Sequence, residues 1–179
     1  TIVTAGTCTI AANQIGNTNY SAAPEVTQSF TIGQASQSIN FTDPSDITFG
    51  APGPMLSAMG GASGNPVTFG SDTPSVCTTG GTNGENVTIL TGGTCTIAAN
   101  QLGNTSYSAA PEVTQSFNIA QASQTISFTS PAPGAATVGG PVYAPAAIGG
   151  ASGNPVVFTI DASASAICSI SGGDDDRVA

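Results

Sequence analysis

The sequence is almost without positive charge. Its 179 residues include no lysine and no histidine, and Arg177 is the single cation against ten acidic residues, for a formal net charge of −9 at pH 7. Nucleic-acid binding requires basic side chains that neutralise phosphates and release counterions. We therefore exclude nucleic acid as a partner.

The same absences argue against catalysis. Serines are plentiful, but acyl transfer needs a histidine or lysine base beside the nucleophile, and neither residue type is present. Asp43, Asp46 and Asp72 could act as acids or bases, yet they lie in turns rich in proline and glycine with nothing apolar to tune them. The glycines of GGASGNP are turn formers without the lysine and helix of a phosphate loop. We expect neither an enzyme nor a cofactor.

Long apolar runs are also absent. No stretch approaches the roughly 18 residues of a membrane span, and the N-terminus does not resemble a signal peptide. The chain begins with Thr1 rather than methionine. From this we expect no membrane span and a processed or excised piece.

A long internal repeat is the most informative feature that is present. The segment Thr7–Phe41 returns almost letter for letter as Thr94–Phe128, 87 residues later. Solenoid repeats have periods of about 20 to 50 residues, so this period indicates one small domain per repeat. We predict a complete repeat over residues 34–120, the N-terminal part of a second over 121–179, and the C-terminal part of a repeat over 1–33.

Strand patterns recur at the same places in each repeat. Alternating Val, Ile, Phe and Thr between turn residues predict about seven short strands per repeat and no helix, which is typical of a β-sandwich. In the complete repeat the predicted strands are 36–42, 54–59, 65–71, 75–79, 86–90, 93–101 and 111–119, and the second repeat has the same series, including 123–129, 141–148, 154–161 and 166–170. The residues expected to face the core are Ile39, Phe41, Val67, Phe69, Ile89, Cys95, Ile97, Val113 and Phe117.

The order of these segments, above all CTIAANQLGNTSYSAAP at residues 95–111, resembles the immunoglobulin-like repeats strung in tandem in very large bacterial surface and adhesin-type proteins. The resemblance covers essentially the whole chain and is weakest at residues 41–64. It implies an all-β fold of immunoglobulin-like sandwich repeats arranged head to tail. Such repeats generally serve as stalks or spacers and have no catalytic residues to carry over.

Four cysteines occur two per repeat with matched spacing. Cys77 and Cys95 are 18 residues apart, and Cys168 and Cys8 have nearly the same spacing when the end of the chain is aligned with its start. A metal site would need C-x-x-C pairs or histidines, which are missing. We predict a disulfide between Cys77 and Cys95 and another between Cys168 and Cys8 of an adjoining copy. A bond between Cys8 and Cys168 of one chain is the alternative, and free core thiols are a further possibility.

Three polar features could bind a ligand or carry a covalent modification. Asp174, Asp175 and Asp176 form the only charge cluster and could hold Ca²⁺, although a solvated turn explains them as well. Asn19 and Asn104 are the better of four glycosylation sequons because both lie in the polar loop after a predicted strand. Tyr20 and Tyr107 end that loop, where they either pack or stack on a sugar ring.

The two ends of the chain fall inside one predicted strand when the repeats are aligned. A half strand leaves backbone groups unpaired. We therefore expect residues 1–33 to complete the domain begun at residue 121 of a neighbouring copy, with copies running head to tail. Whether successive copies are joined by a peptide bond or are separate subunits is left open. The residues at this seam are Thr1, Ile2, Val3, Val178 and Ala179.

The leading hypothesis is a secreted or cell-surface structural protein, a filament, fibre or stalk whose main partners are copies of itself. The alternative is an adhesin or carbohydrate-binding module that uses the loops at one pole of the sandwich to bind carbohydrate or the cell envelope. Near-identity of the two copies of the long loop favours the structural hypothesis, because a dedicated ligand site needs only one copy.

Overall fold

The computed structural model describes residues 1–171 and 177–178, and the protein is all-β, as predicted. The only helical turn in the described residues is a 3-10 turn, η1, at Ala162–Ala164. The chain divides into two compact units, Thr1–Ala122 and Ser123–Ala179. The strands are β1 (Gly6–Gln14), β2 (Ala23–Ile32), β3 (Asn40–Phe41), β4 (Ile47–Thr48), β5 (Ala58–Met59), β6 (Val67–Ser71), β7 (Cys77–Gly80), β8 (Asn86–Ile89), β9 (Gly93–Gln101), β10 (Val113–Ala120), β11 (Ser127–Phe128), β12 (Ala147–Ile148), β13 (Ile170–Ser171) and β14 (Arg177–Val178).

A four-stranded sheet is the centre of the first unit. Its strand order is β4-β10-β9-β6, so the antiparallel hairpin β9–β10 occupies the middle. Strand β6 pairs with β9 in antiparallel fashion, and β4 pairs with β10 in parallel. Successive side chains of a strand point to opposite faces, and Cys95, Ile97 and Ala99 of β9 are fully buried.

The core of the first unit includes residues of three sheets. The two-stranded sheets β3–β5 and β7–β8 contribute Phe41, Cys77 and Val87 to the same hydrophobic cluster as the hairpin β9–β10. The predicted core is confirmed. Ile39, Phe41, Cys95, Ile97 and Phe117 are buried, and Val67, Phe69, Ile89 and Val113 are partly buried against them.

Strands early in the first unit differ from the prediction. The expected strands at 36–42 and 54–59 shrink to β3 and β5, of two residues each. Strand β4 was not expected, because its sequence lies among Pro44, Gly50 and two aspartates. It forms through pairing of Ile47 with Ile119 of β10, a contact between residues far apart in the sequence.

The second unit lacks a predicted strand. Its described residues contain the short pairs β11–β12 and β13–β14, but residues 154–161 form no strand. The equivalent strand β6 takes its backbone partners from β9, and no hairpin like β9–β10 occurs in the described part of this unit. The prediction for 154–161 was therefore wrong for want of a partner strand. The turn η1 follows, where Asp161 accepts hydrogen bonds from the Ser163 hydroxyl (2.6 Å) and backbone N–H (2.9 Å), which lower the pKa of Asp161.

Candidate functional site

The hairpin β1–β2 is a second copy of the central hairpin β9–β10. In β1–β2, Cys8 lies opposite Phe30; in β9–β10, Cys95 lies opposite Phe117. The remaining pairs follow the same register through most of each hairpin. One sequence thus forms one hairpin in two places.

Hydrogen bonds between hydroxyl side chains connect the two strands of each hairpin in the same way. The hydroxyls of Thr9 and Ser29 are 2.7 Å apart across β1–β2, and those of Thr96 and Ser116 are 2.8 Å apart across β9–β10. Cross-strand hydroxyl pairs of this kind contribute to hairpin stability. Since the bonds form both inside and outside a larger sheet, the hairpin's shape is set by its own sequence.

The surroundings of the two hairpins are opposite. Ile97 and Phe117 of β9–β10 are 0% and 1% exposed, whereas the equivalent Ile10 and Phe30 of β1–β2 are 59% and 47% exposed. Val26, on the same face of β1–β2, is 69% exposed. The hairpin β1–β2 therefore presents to solvent the apolar face that β9–β10 buries.

The outer edges of the two hairpins also differ. In the central sheet β4 and β6 pair with β10 and β9. In the described residues β1 and β2 pair only with each other. The outer backbone N–H and C=O groups of β1 and β2 are thus available for further strand pairing, as at any sheet edge.

The second unit repeats part of the structure that surrounds the central hairpin. The rings of Phe128 and Phe158 have centroids 5.8 Å apart, and the equivalent rings of Phe41 and Phe69 are 5.2 Å apart. Strands β11–β12 pair Phe128 with Ala147 in the same register in which β3–β5 pairs Phe41 with Ala58. The pair β11–β12 and the contact between Phe128 and Phe158 therefore resemble their equivalents in the first unit.

The face that would hold the hairpin is open in the second unit. Phe128 is 68% exposed against 4% for Phe41, and Ile126 is 63% exposed against 8% for Ile39. The segments equivalent to β4 and β6, within residues 131–142 and 154–160, form no strand. In the first unit the equivalent strand β4 pairs with β10, and the equivalent strand β6 pairs with β9. In its described residues the second unit therefore has no strands equivalent to β9 and β10.

A large groove opens in this unit. It has a volume of about 920 Å³ and is lined by residues between Pro133 and Tyr143 together with Ile167 and Cys168. Cys168 is equivalent to Cys77, whose disulfide partner Cys95 belongs to the central hairpin. The groove therefore lies beside the position where a partner cysteine would be expected.

The four cysteines fall into two states. Cys77 and Cys95 form a disulfide that joins β7 to β9 with a Cα–Cα distance of 5.8 Å, which confirms that pairing. Cys8 and Cys168 are half-buried free thiols in the chain. Their predicted pairing between adjoining copies stays a prediction.

One functional residue of the hairpin was not anticipated from the sequence. Gln101 is buried, its Oε1 accepts from the Gly61 N–H at 2.7 Å, and its Nε2 donates to the Asn65 carbonyl at 2.7 Å. A Cβ at Gly60 would lie only 2.5 Å from this Nε2, so the glycine at this position makes room for the amide. The sequence does contain a signal for this contact, because AANQ and GGASGNP each occur twice. In the other copy of AANQ, the equivalent Gln14 is exposed.

The polar loops after β1 and β9 are held by asparagines. Asn104 Oδ1 accepts from the Tyr107 N–H at 2.9 Å, and its Nδ2 donates to the Ser63 carbonyl at 2.9 Å. Asn17 holds the equivalent turn after β1, and Asn19 beside it is exposed. N-glycosylation uses the asparagine Nδ2, which is occupied in Asn104. The geometry favours Asn19 as an acceptor, and glycosylation of either residue stays a prediction.

The two tyrosines of these loops are placed differently. Tyr107 is half-buried, and its backbone pairs with Ala35. Tyr20, at the equivalent position, is 76% exposed. Packing therefore accounts for Tyr107, while Tyr20 has an open ring.

Asp46 and Glu85 accept hydrogen bonds from backbone N–H groups. Asp46 Oδ1 accepts from the Asn118 N–H at 2.6 Å. Glu85 accepts from the Asn83 and Thr82 N–H groups at 2.8 and 3.3 Å, and the bond from Asn83 is the first cause of a lowered pKa for Glu85. The described residues contain no group of three His, Cys, Asp or Glu side chains able to hold a metal.

The remaining predicted residues lie at the ends of the chain. Thr1, Ile2 and Val3 are exposed and precede β1 without forming a strand. The backbone of Val178 pairs with Ile170 in β13–β14. Ala179 and the possible Ca²⁺ ligands Asp174, Asp175 and Asp176 lie outside the described residues.

Comparisons with models of protein families, with curated proteins and with solved structures found no match to this chain. Within the described residues there is no helix long and apolar enough to cross a membrane. Arguments about function therefore depend on the geometry described above.

Proposed function

We propose that this chain is a structural component of an extracellular filament, fibre or surface stalk. In this proposal residues 1–33 of one copy associate with residues 121–179 of the next. The observation that carries it is the contrast between two copies of one hairpin, buried at Ile97 and exposed at Ile10. Burying a side chain such as Ile10 or Phe30 stabilises a protein by about 1.5–3 kcal/mol.

Head-to-tail association follows from the position of the two surfaces. The exposed hairpin lies in the first unit and the open groove in the second, so the contact joins different surfaces of two copies. Such heterologous contacts leave one free surface of each kind at the ends of every complex, and they build filaments when they do not close into a ring. The proposed function of such a filament is mechanical.

Several features support immunoglobulin-like sandwich domains and an extracellular location. The four-stranded sheet and the pairs β3–β5 and β7–β8 share one core, and a disulfide connects β7 with β9. Antiparallel sheets about a disulfide-linked core are typical of immunoglobulin-like domains. Disulfides persist in oxidising compartments, which fits a secreted protein.

An adhesin or carbohydrate-binding module is the second candidate. The open ring of Tyr20 in a polar loop favours it, because exposed aromatic rings can stack on sugars. In the complete repeat, however, the equivalent Tyr107 is half-buried by the pairing of its loop with Ala35. Completion of the second domain would cover Tyr20 similarly, so the structural role is the better supported.

Sedimentation velocity of the 179-residue chain over a range of concentrations tests the proposal. We expect larger species to grow with concentration and negative-stain electron microscopy to reveal linear assemblies. The double variant Ile10→Asp, Phe30→Asp should stay monomeric, because it places charge on the apolar face of β1–β2. The control Thr9→Asp adds charge to the opposite face and should assemble. A wild-type chain that is monomeric at every concentration would contradict the proposal.

A further inference from the structure

We propose that the hairpin β1–β2 of one copy enters the groove of a second copy in one defined register and is locked there by a disulfide between Cys8 and Cys168. The inference rests on the proposed function and specifies its interface. Its occupant is a second copy of this chain, because the chain already holds an equal hairpin in an equal framework at β9–β10.

The register is taken from the first unit. There β6 pairs with β9 so that Val67 lies opposite Gln101 and Phe69 opposite Ala99. Residues 154–160 repeat the sequence pattern of β6, and β1 repeats β9. In the complex, residues 154–160 are expected to pair with β1 of the other copy as β6 pairs with β9. The expected antiparallel pairs are Val156 with Gln14, Phe158 with Ala12 and Ile160 with Ile10.

A polar contact fixes the same register. Gln101 bonds to the Gly61 N–H and the Asn65 carbonyl inside the first unit. The GGASGNP motif that supplies both groups recurs in the second unit with Gly150 and Asn154 at the equivalent positions. The exposed Gln14 of one copy is therefore expected to bond to Gly150 and Asn154 of the next. A slip by one residue would turn Gln14 to the opposite face.

The cysteines meet in this register. Cys168 precedes β13 as Cys77 begins β7, since Ile170 lies opposite Val178 in the way that Thr79 lies opposite Val87. Cys8 occupies the position of Cys95 in its hairpin. Seating brings Cys8 against Cys168 at a Cα–Cα distance close to the 5.8 Å of the Cys77–Cys95 bond, within the range that a disulfide spans. Cys168 lines the groove, and both thiols are free.

Bond formation is a thiol–disulfide exchange. The oxidant is the disulfide of a small molecule, such as oxidised glutathione, or of an oxidoreductase. The Cys8 and Cys168 thiols lose two protons and two electrons as their S–S bond forms, and the oxidant's S–S bond breaks to give two thiols. The product is a covalent link between successive copies at every interface.

Mixing two variants, each with one of these two cysteines replaced, tests the proposed disulfide. Cys8→Ser keeps the acceptor thiol and Cys168→Ser keeps the donor thiol, so neither can form the bond alone. After mixing with oxidised glutathione, we expect a non-reducing gel to contain a species of twice the 17.3 kDa chain, and peptide mass mapping to identify Cys8 joined to Cys168. As a matched control, a donor with Cys8→Ser, Thr9→Cys and Cys168→Ser has its thiol on the opposite face and should not cross-link.

The outcomes separate the two proposals. A wild-type chain that oxidises to a monomer with an internal Cys8–Cys168 bond would overturn the lock, as would a mixture that yields no heterodimer. If Cys8→Ser still assembles in sedimentation while the mixture fails to cross-link, the proposed disulfide is rejected and the proposed filament is retained. Retention of the Cys77–Cys95 bond, followed by mass mapping, checks that each variant is folded.

Discussion

At the scale of single residues, identical side chains at equivalent positions differ in burial and in hydrogen bonding. Gln101 is a core residue with its amide fully bonded, whereas Gln14 is exposed on a free hairpin. The identity of a residue sets which bonds it can make, and the presence of the glycine-rich partner loop decides whether they form. The two glutamines therefore provide a matched pair for experiment.

Gln101→Ala should lower the free energy of unfolding of the first unit by about 1–3 kcal/mol, because it removes the hydrogen bonds that this buried side chain makes to the half-buried Gly61 N–H and Asn65 carbonyl. Gln14→Ala should leave this free energy unchanged in dilute, monomeric protein. Urea denaturation followed by circular dichroism measures both. Equal destabilisation by the two substitutions would show that Gln14 is already buried in the monomer.

The Glu85 carboxylate predicts a pH dependence. Bonds from the Asn83 and Thr82 N–H groups stabilise its charged form and lower its pKa in the folded state. A lowered pKa adds stability that is complete above the unfolded value of about 4.3 and is lost as the pH falls through the folded value. Thermal unfolding should therefore separate wild type from Glu85→Gln most at pH 7 and progressively less below about pH 4. A constant difference at every pH would be the contrary result.

At the scale of elements, strand β9 was predicted correctly at both ends, and β10 and β6 to within a few residues. Their alternating apolar residues carry the signal, and each has a partner in the first unit. The core residues Ile97 and Phe117 could be predicted for the same reason.

Other elements could not be predicted, because strand formation depends on a distant partner. Strand β4 has a weak pattern and forms because β10 pairs with it. Residues 154–161 have a strong pattern and yet form no strand. The glutamine site escaped prediction similarly, since Gln101 and Gly61 meet only in the folded sheet. Sequence periodicity identifies which segments can be strands, and the sheet decides which are.

At the scale of the whole molecule, one chain has a hairpin with an exposed apolar face in its first unit and an open groove in its second. We propose that these surfaces associate, because their sequences are copies of parts that pack together in the first unit. With Arg177 as the only cation, ion pairs can contribute little to their association. Apolar burial and backbone hydrogen bonds are the forces available.

Hydrogen–deuterium exchange of the wild-type chain at low and high protein concentration tests the central claim most directly. In dilute protein we predict fast exchange at residues 156, 157, 159 and 160 and at the amides on the outer edge of β1. At high concentration both segments should gain protection together, because each becomes the other's strand partner across two copies, while β9 and β10 stay protected throughout. Protection of both segments at every concentration would indicate completion within one chain, and protection at none would contradict strand exchange between copies.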